Sequence, residues 1–426
     1  MAKIIPFSAW RYTQKLQPKM ASLTVSLPDA PSASQLDLLY SNPLNSIHVS
    51  LPASQKTTLE TSTLLEEWKA KKLLEQDPSP GIYINYHYFK LPGSTELHCR
   101  KGFIALIKAY DWEDNVILRH EDTHNEAVID QTQLLEKLQL QAHPTHGLYE
   151  DNDDHLVPMM DTAIGQPISD FVDNHGVRHV LGLITAPQEI NQFINHLAGQ
   201  KIILADGHHR FQASIAYKNK CIKLNPVHTG NEGYNYHMMY FSYAHSRHLK
   251  LLPTHRLIKG TSIPLPWKKI KSWFVLEKTI ETNAVPHEPI QKPWTYCLVI
   301  KNKAYIISLR PEKFSNFDVD LPTNIKHLDI SILHYFFVEQ ILDIPFDKQG
   351  FSDKLIYEKD LSTCLEMVKS GQVEMALLTK GISIDEVLKI CHSGYILPQK
   401  STYFFPKTPS GLLFGSIKKD EFPDNL

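Results

Sequence analysis

Apolar positions along the chain alternate between two periods. In TLLEEWKAKKLLEQ (63–76), Leu64, Leu65, Trp68, Leu73 and Leu74 fall near helical spacing. Asp77-Pro78 closes the stretch, so a helix is predicted there. IYINYHYF (82–89) is aromatic and β-branched and predicts a strand. GFIALIKAY (102–110) predicts a second strand, ended by the polar turn 111–115. The run 125–141 predicts a helix with Leu134, Leu135 and Leu138 on one side. HVLGLIT (179–185) reads as strand and 187–198 as helix. KIILA (201–205) is a short buried-type strand, FQASIAYKNK (211–220) a helix and HMMYFSYA (237–244) a strand. Beyond Gly260 come strands at 295–300, 303–309 and 374–380 and a helix over 328–342. Residues 1–60 carry Pro6, Pro18, Pro28, Pro31, Pro43 and Pro52 among Ser and Asn, which predicts a wrapping arm with short strands. No regular barrel or doubly wound period emerges, so the expected class is α/β, of the α+β kind with mixed sheets. Two regions are expected, 1–260 and 261–426, the second returning its KSTYFFPK segment to a site in the first.

Composition narrows the function classes. The chain has 426 residues, 42% hydrophobic and 21% charged, which is ordinary globular material. Lys+Arg number 44 and Asp+Glu 46, so there is no general grip on polyanions and nucleic acid is disfavoured. Five separated cysteines with no C-x-x-C pair fit a reducing cytoplasm better than a disulfide scaffold. MAKIIPFSAWRYTQK is not a secretory signal, and no apolar run approaches about 18 residues, so no membrane span is expected. The 22 histidines raise the question of metal or proton chemistry, while 18 glycines leave little for glycine-rich phosphate loops.

The strongest local signal is Asp206-Gly207-His208-His209-Arg210, between a predicted strand and helix. Such a junction offers free N–H groups and a positive dipole end to an anion. Gly207 allows the tight turn, Arg210 can fork onto phosphate, and His208 or His209 can donate or transfer a proton. Asp206 can hold Mg²⁺ or orient a histidine, or simply cap the helix. Arg119 to His124 is a second dense segment, in which His120 or Glu121 can act as base and Glu121 can hold Mg²⁺ with Asp206. It literally contains H-E-x-x-H, but RHEDTHNEAVID is too polar for the long zinc-binding helix that pattern needs. His255-Arg256 and Lys400, Ser401, Thr402 and Lys407 are further candidate phosphate ligands, with Arg11 a weaker one. The P-loop, dinucleotide and nucleophile-elbow motifs are absent from the sequence.

In this order the segments resemble the bacterial and archaeal family known as domain of unknown function ten-fifteen. The resemblance rests on Pro6-Phe7 to Arg11, His120 to Thr123, Gly147 to Asp151, Ala205 to Arg210, Leu252 to Arg256, and Lys400 to Lys407 followed by Ser410-Gly411-Leu412. Two departures stand out. The nearest stretch to the family's A-P-P-Y-D is Leu27 to Pro31, and Asp130-Gln131 stands where the family tends to carry Asp-Arg. The D-G-H-H-R turn is also locally similar to the turn of the ParB/sulfiredoxin-like fold, which includes free-serine kinases. That implies a ParB/sulfiredoxin-like core with a C-terminal elaboration, and a turn that sits on nucleotide phosphate. His208 and His209 replace the reactive cysteine of sulfiredoxin, which argues against sulfur chemistry.

The function this implies is phosphoryl transfer from ATP or ADP, with Mg²⁺, to a small hydroxylated metabolite such as free serine, or its hydrolytic counterpart on phosphoserine. The alternatives are a nucleotide-binding regulator of the ParB type and a metal-dependent hydrolase. The expected partners are a small-molecule substrate and a nucleotide.

Overall fold

The computed structural model describes residues 1–26, 33–52, 58–150, 155–260, 266–286, 290–397 and 400–422. Leu27 to Pro31, nearest to the family's A-P-P-Y-D, and Asp151 of the Gly147 segment lie outside the described residues. The chain forms two compact units, one of Met1–Lys250 with Pro406–Leu426, the other of Leu251–Phe405.

This division differs from the expected boundary at 260 in two ways, each with a pairing behind it. His255–Ile258 is a strand of the second unit's sheet, bonded to Leu355–Glu358 and Met375–Leu378. The chain end instead pairs back into the first unit, Ser410 with Val25, Phe414 with Trp10, and Gly415 and Ser416 with Gln141 and Leu140. Sequence order hides such long-range pairings.

The first unit is built on a nine-stranded mixed sheet. Its spatial order is Ile117–Leu118, Ile202–Asp206, Thr145–Tyr149, Tyr236–Tyr243, Leu97–Lys108, Ile82–Lys90, Arg178–Ile184 and Ser169–Val172, with Ile4–Ile5 paired to Leu97–Lys108 off this path. Two of these pairings are parallel and the rest antiparallel.

Both faces are covered, which explains strands that read as nearly continuous apolar runs. Side chains alternate between faces with period two. Phe103, Ala105 and Ile107 join one core, with Phe193 of the Pro187–Leu197 helix and Phe211 of the His208–Leu224 helix. Ile104 and Leu106 join the other, with Trp68 of the Thr58–Ala70 helix and Leu412, Leu413 and Phe414 of the returning chain end.

The second unit holds a six-stranded antiparallel sheet in the order Phe274–Glu281, Lys303–Leu309, Thr295–Ile300, Met375–Leu378, His255–Ile258 and Leu355–Glu358. The helix expected over 328–342 begins as Asp329–Ile332 and continues in wider i→i+5 turns over Leu333–Glu339. Ser383 and Glu386 form a reciprocal capping box at the start of Ile384–Ser393. The mixed α/β class matches the sequence reading. Among the described residues no helix is long and apolar enough to cross a membrane.

Gly102 marks where the large sheet is packed to its limit. A Cβ there would collide with the Phe241 carbonyl and the end of the Tyr240 side chain. Gly102→Ala is expected to lower stability by about 1–3 kcal/mol. Urea unfolding should show a lower midpoint with an unchanged m value.

Candidate functional site

The Ile202–Asp206 strand ends in an irregularity. Its register against Thr145–Tyr149 shifts between Leu204 and Asp206, so Asp206 comes to lie opposite His146. Gly207 follows with φ +90, and the helix starts at His208. The left-handed backbone favours glycine at this corner, and so does the space. A Cβ would meet Thr145 Cγ2 at 2.6 Å and Arg210 Nη2 at 2.8 Å. The helix thus starts three residues earlier than the sequence period suggests, and His208, His209 and Arg210 form its first turn. Gly207, rather than Asp206, occupies the cap position.

Asp206 is free to do something else. Lys407 Nζ binds its Oδ1, and Arg210 Nη2 donates to Oδ2 at 3.0 Å. Burial by itself would raise the carboxyl pKa, but the two cations outweigh it and hold the group far below the usual carboxylate range. Arg210 also donates from Nη1 to the carbonyls of Pro144 at 3.0 Å and His143 at 3.3 Å. His143 Nε2 lies 2.8 Å from the Thr408 carbonyl, which fixes its proton on that nitrogen. Segments 143–145, 206–210 and 406–408 are therefore interlocked. Ser214 and Thr145 hold the two ring nitrogens of His237 at 2.7 and 3.0 Å, pinning the helix to the sheet.

Six histidines at this turn and on the adjoining strands are neutral at pH 7. Burial lowers His120 to about 4 and His237 to about 3. It also carries His208, His143, His146 and His87 well below their ordinary value. The His120 and His208 rings meet edge to face with centroids 4.8 Å apart. His208 Nε2 has no hydrogen-bond partner among the described residues. The His124 backbone N–H donates to His209 Nε2 at 3.0 Å, so the imidazole proton of neutral His209 sits on Nδ1. Glu121 Oε1 stands 4.0 Å from His120 Nε2. Residues 119–124 and 206–210 thus do come together, and Lys407 joins them.

Other expected ligands have partners of their own. Arg11 is clamped on Asp77 through Nε at 2.9 Å and Nη2 at 2.7 Å, beside the Tyr83 hydroxyl. It braces the pairing of Trp10–Tyr12 with Leu74–Gln76 and offers no fork to phosphate. Lys400, Ser401, Thr402, His255 and Arg256 belong to the second unit. There His255 Nδ1 accepts the Thr379 N–H at 3.2 Å, and burial lowers its pKa to about 4. Arg256 is buried against His334 and the Thr254 carbonyl. Exposed Lys400 lies over the Tyr357 ring at 5.3 Å, while Ser401 and Thr402 are buried.

Magnesium does not fit Asp206 and Glu121 as they stand. Both Asp206 oxygens already take a cationic donor. Among the described residues no group of three metal-ligating side chains assembles. Gln131, where the resemblance leads one to expect arginine, lines a cavity of about 50 Å³ with His143, Arg210 and His237. That is room for a water or two rather than a nucleotide.

Sequence reasoning gave Arg100 and His87 no role and took 143–146 for a loop rather than a metal site. All three residues are buried on strands, Arg100 and His146 on stretches where no strand was expected. His146 lies opposite Asp206 on one side and Tyr240 on the other, and Arg100 lies opposite His87. The available signal was Asn85 and His87 two apart in IYINYHYF, a polar pair on one face of a strand whose neighbours are otherwise apolar.

The profile of the family described as "Protein of unknown function (DUF1015)" matches residues 4–331, well over half of the sequence. The chain belongs to the DUF1015 family. No curated protein matches the sequence. Among solved structures it is similar to a mutant free serine kinase in complex with AMP, at TM-score 0.38 and 13% identity over 73% of this chain and 92% of that one. A conserved hypothetical protein from Pyrococcus furiosus gives 0.36 and 12%, over 72% and 93% of the two chains. SbnI with a C-terminal truncation, from Staphylococcus aureus, gives 0.35 and 12%, over 74% and 90%.

Two predictions follow from the geometry of the Asp206 turn. Lys407→Met leaves Asp206 with one cation and should cost about 3–5 kcal/mol of stability in urea unfolding. It should also move the acid loss of that stability to higher pH. A depressed carboxyl pKa contributes stability above its unfolded value, and that stability is lost as pH falls towards the folded value. The neutral histidines act in the same direction. Between an unfolded pKa of about 6.5 and a lower folded value, the unfolded chain binds more protons. Each such histidine should therefore remove about 1.4 kcal/mol of stability per pH unit below about 6.5, with His120 continuing to about 4. Unfolding midpoints between pH 7.5 and 5 should fall steeply, with net proton uptake on unfolding.

Proposed function

We propose that this chain transfers a phosphoryl group between a nucleotide, ATP or ADP, and the hydroxyl of a small metabolite, with free serine as the acceptor. The observation that carries the reading is a charge imbalance at a helix start. Three cations, Lys407, Arg210 and buried Arg100, stand against two carboxylates, Asp206 and Glu121, with Arg119 and Asp122 paired to each other, among histidines that burial keeps neutral. The N-terminus of the seventeen-residue His208–Leu224 helix adds its own positive end. A surplus of fixed positive charge in a dry setting suits the oxygens of a transferring phosphoryl group, whose reaction needs positioning and electrostatics above all.

In this reading the backbone N–H groups after Gly207 take phosphate oxygens, and Lys407 turns from Asp206 towards the charge that develops. Arg210 keeps Asp206 and the 143–144 carbonyls in place and acts as a positioning residue. Glu121, more exposed than its neighbour His120, takes the proton from the acceptor hydroxyl. His208, whose buried Nε2 has no hydrogen-bond partner among the described residues, donates to or accepts from the bound ligand. With water in place of the acceptor, the same pocket would remove phosphate from phosphoserine.

The test is incubation of the full chain with ATP or ADP, Mg²⁺ and L-serine, and separately with phosphoserine, followed by ³¹P NMR. Turnover in one direction is expected. Lys407→Met should reduce kcat by about 10²–10³-fold, and Glu121→Gln should also lower it. No turnover in either direction, together with no thermal shift from ADP or phosphate, would sink the proposal.

A further inference from the structure

Asp206 takes up the two cations that a bound anion at this turn would call on. Lys407 Nζ sits on its Oδ1, and Arg210 Nη2 donates to its Oδ2 at 3.0 Å. The cluster is open to solvent, with 19% of the Asp206 side chain exposed, 18% of Arg210 and 11% of Lys407. A dissolved anion can therefore reach it, and there it meets a carboxylate that belongs to the chain.

The two cations are held in different ways. Arg210 spans three acceptors, Asp206 and the carbonyls of Pro144 at 3.0 Å and His143 at 3.3 Å, so its guanidinium plane is fixed from two sides. Lys407 is a point charge on a flexible four-carbon stem. The backbone on either side of it is anchored. The Pro406 carbonyl accepts from Arg100 Nη2 at 2.7 Å. Thr408 Oγ1 donates to the Pro144 carbonyl at 3.3 Å, and the Thr408 carbonyl takes His143 Nε2 at 2.8 Å. Movement in the cluster is therefore concentrated in one element, the lysine stem, which can swing without disturbing the chain around it.

Such an arrangement discriminates by charge. A carboxylate on the same chain acts at an effective concentration of about millimolar or above. A free monoanion brings no more charge than Asp206 and has to win that competition from solution. A dianion brings twice the charge and can draw the ammonium group over. Within the trio two cations face one carboxylate, so one positive charge is left over. The His208–Leu224 helix begins two residues after Asp206 and turns its positive end to the same corner. The dianion then shares Lys407 and the helix end, while Asp206 keeps Arg210.

We propose that the Asp206–Lys407 pair is an autoinhibitory latch, in which Asp206 stands in for the anion and a dianion of the phosphate type opens the site by taking Lys407 from it. This rests on the phosphoryl-transfer reading for the role of the site, but the latch can be tested without any nucleotide.

The experiment is calorimetric titration of the full chain, without nucleotide, at constant ionic strength and at a pH where phosphate is mostly a dianion. The probes are inorganic phosphate and sodium formate. The natural chain should bind phosphate, with formate far weaker. Asp206→Asn leaves an amide oxygen for Arg210 and releases Lys407, so it should bind phosphate about 10- to 100-fold more tightly. Asp206→Ala, which removes the carboxylate altogether, should gain formate binding. Phosphate affinity that is unchanged or weaker in Asp206→Asn overturns the proposal. So does formate binding as tight to the natural chain as to Asp206→Ala, or no phosphate binding to any form. If neither variant folds, the natural chain decides by NMR of nitrogen-15-labelled lysine and arginine side chains. The Lys407 Nζ signal, identified by its loss in Lys407→Arg, should move on adding phosphate and stay in place with formate. A Lys407 signal that phosphate leaves unmoved, or that formate moves equally, overturns the latch. Tighter phosphate binding in Asp206→Asn without phosphoryl transfer by the natural chain removes the transfer reading and leaves this one. Transfer by the natural chain with unchanged phosphate affinity in Asp206→Asn does the reverse.

Discussion

The ion cluster on Asp206 is the constraint around which the first unit closes. A carboxylate at the end of a buried strand stays ionised there only if cations come to it. One comes from the first turn of the following helix, as Arg210. The other comes from 201 residues further along the chain, as Lys407. The same arginine ties down the 143–144 carbonyls, and Thr408 ties down His143. One buried charge thus fastens a strand, a helix start, a neighbouring strand and the returning chain end. The Gly207 corner makes this geometry available, because no side chain fits beside Thr145 there.

The histidines serve this electrostatics by remaining uncharged. His87, His120, His143, His146, His208 and His237 are all enclosed, and burial is the first cause of each lowered pKa. His87, His143, His146 and His237 are held by hydroxyl, carbonyl, amide or guanidinium partners rather than gathered around a metal. A neutral imidazole can fill a polar position in a sheet without adding to the surplus positive charge of Arg100, Arg210 and Lys407. The high histidine count therefore reads as a polar interior tuned to neutrality, and the cations stand out against it.

Much of the element order was legible. The strands at 82–90, 178–184, 236–243, 295–300 and 303–309 match their apolar runs to within a residue or two, because each run is filled on both faces. The turn at 206–210 was legible as a strand-to-helix corner for the same local reason, a strand that stops and a glycine that turns. The individual roles were less so. Arg210 looked like a phosphate fork and is turned back on Asp206. Arg11 looked like a ligand and is locked on Asp77. Arg100 was passed over because the strand was expected to begin at Gly102, whereas it runs over Leu97–Lys108 and buries the residues before the apolar run as well.

The sequence by itself determined the class of fold, the segments 119–124 and 206–210, and the family, since these depend on local period and on motifs whose residues are neighbours in the chain. Tertiary structure decided which cation meets which anion. Lys407 reaches Asp206 and Arg100 meets His87 through strand pairing between distant segments. It also decided the boundary between the units, because Ser410 to Ser416 pair with strands laid down hundreds of residues earlier. Charge partners and protonation states follow from burial and register, and neither exists until the sheet has closed.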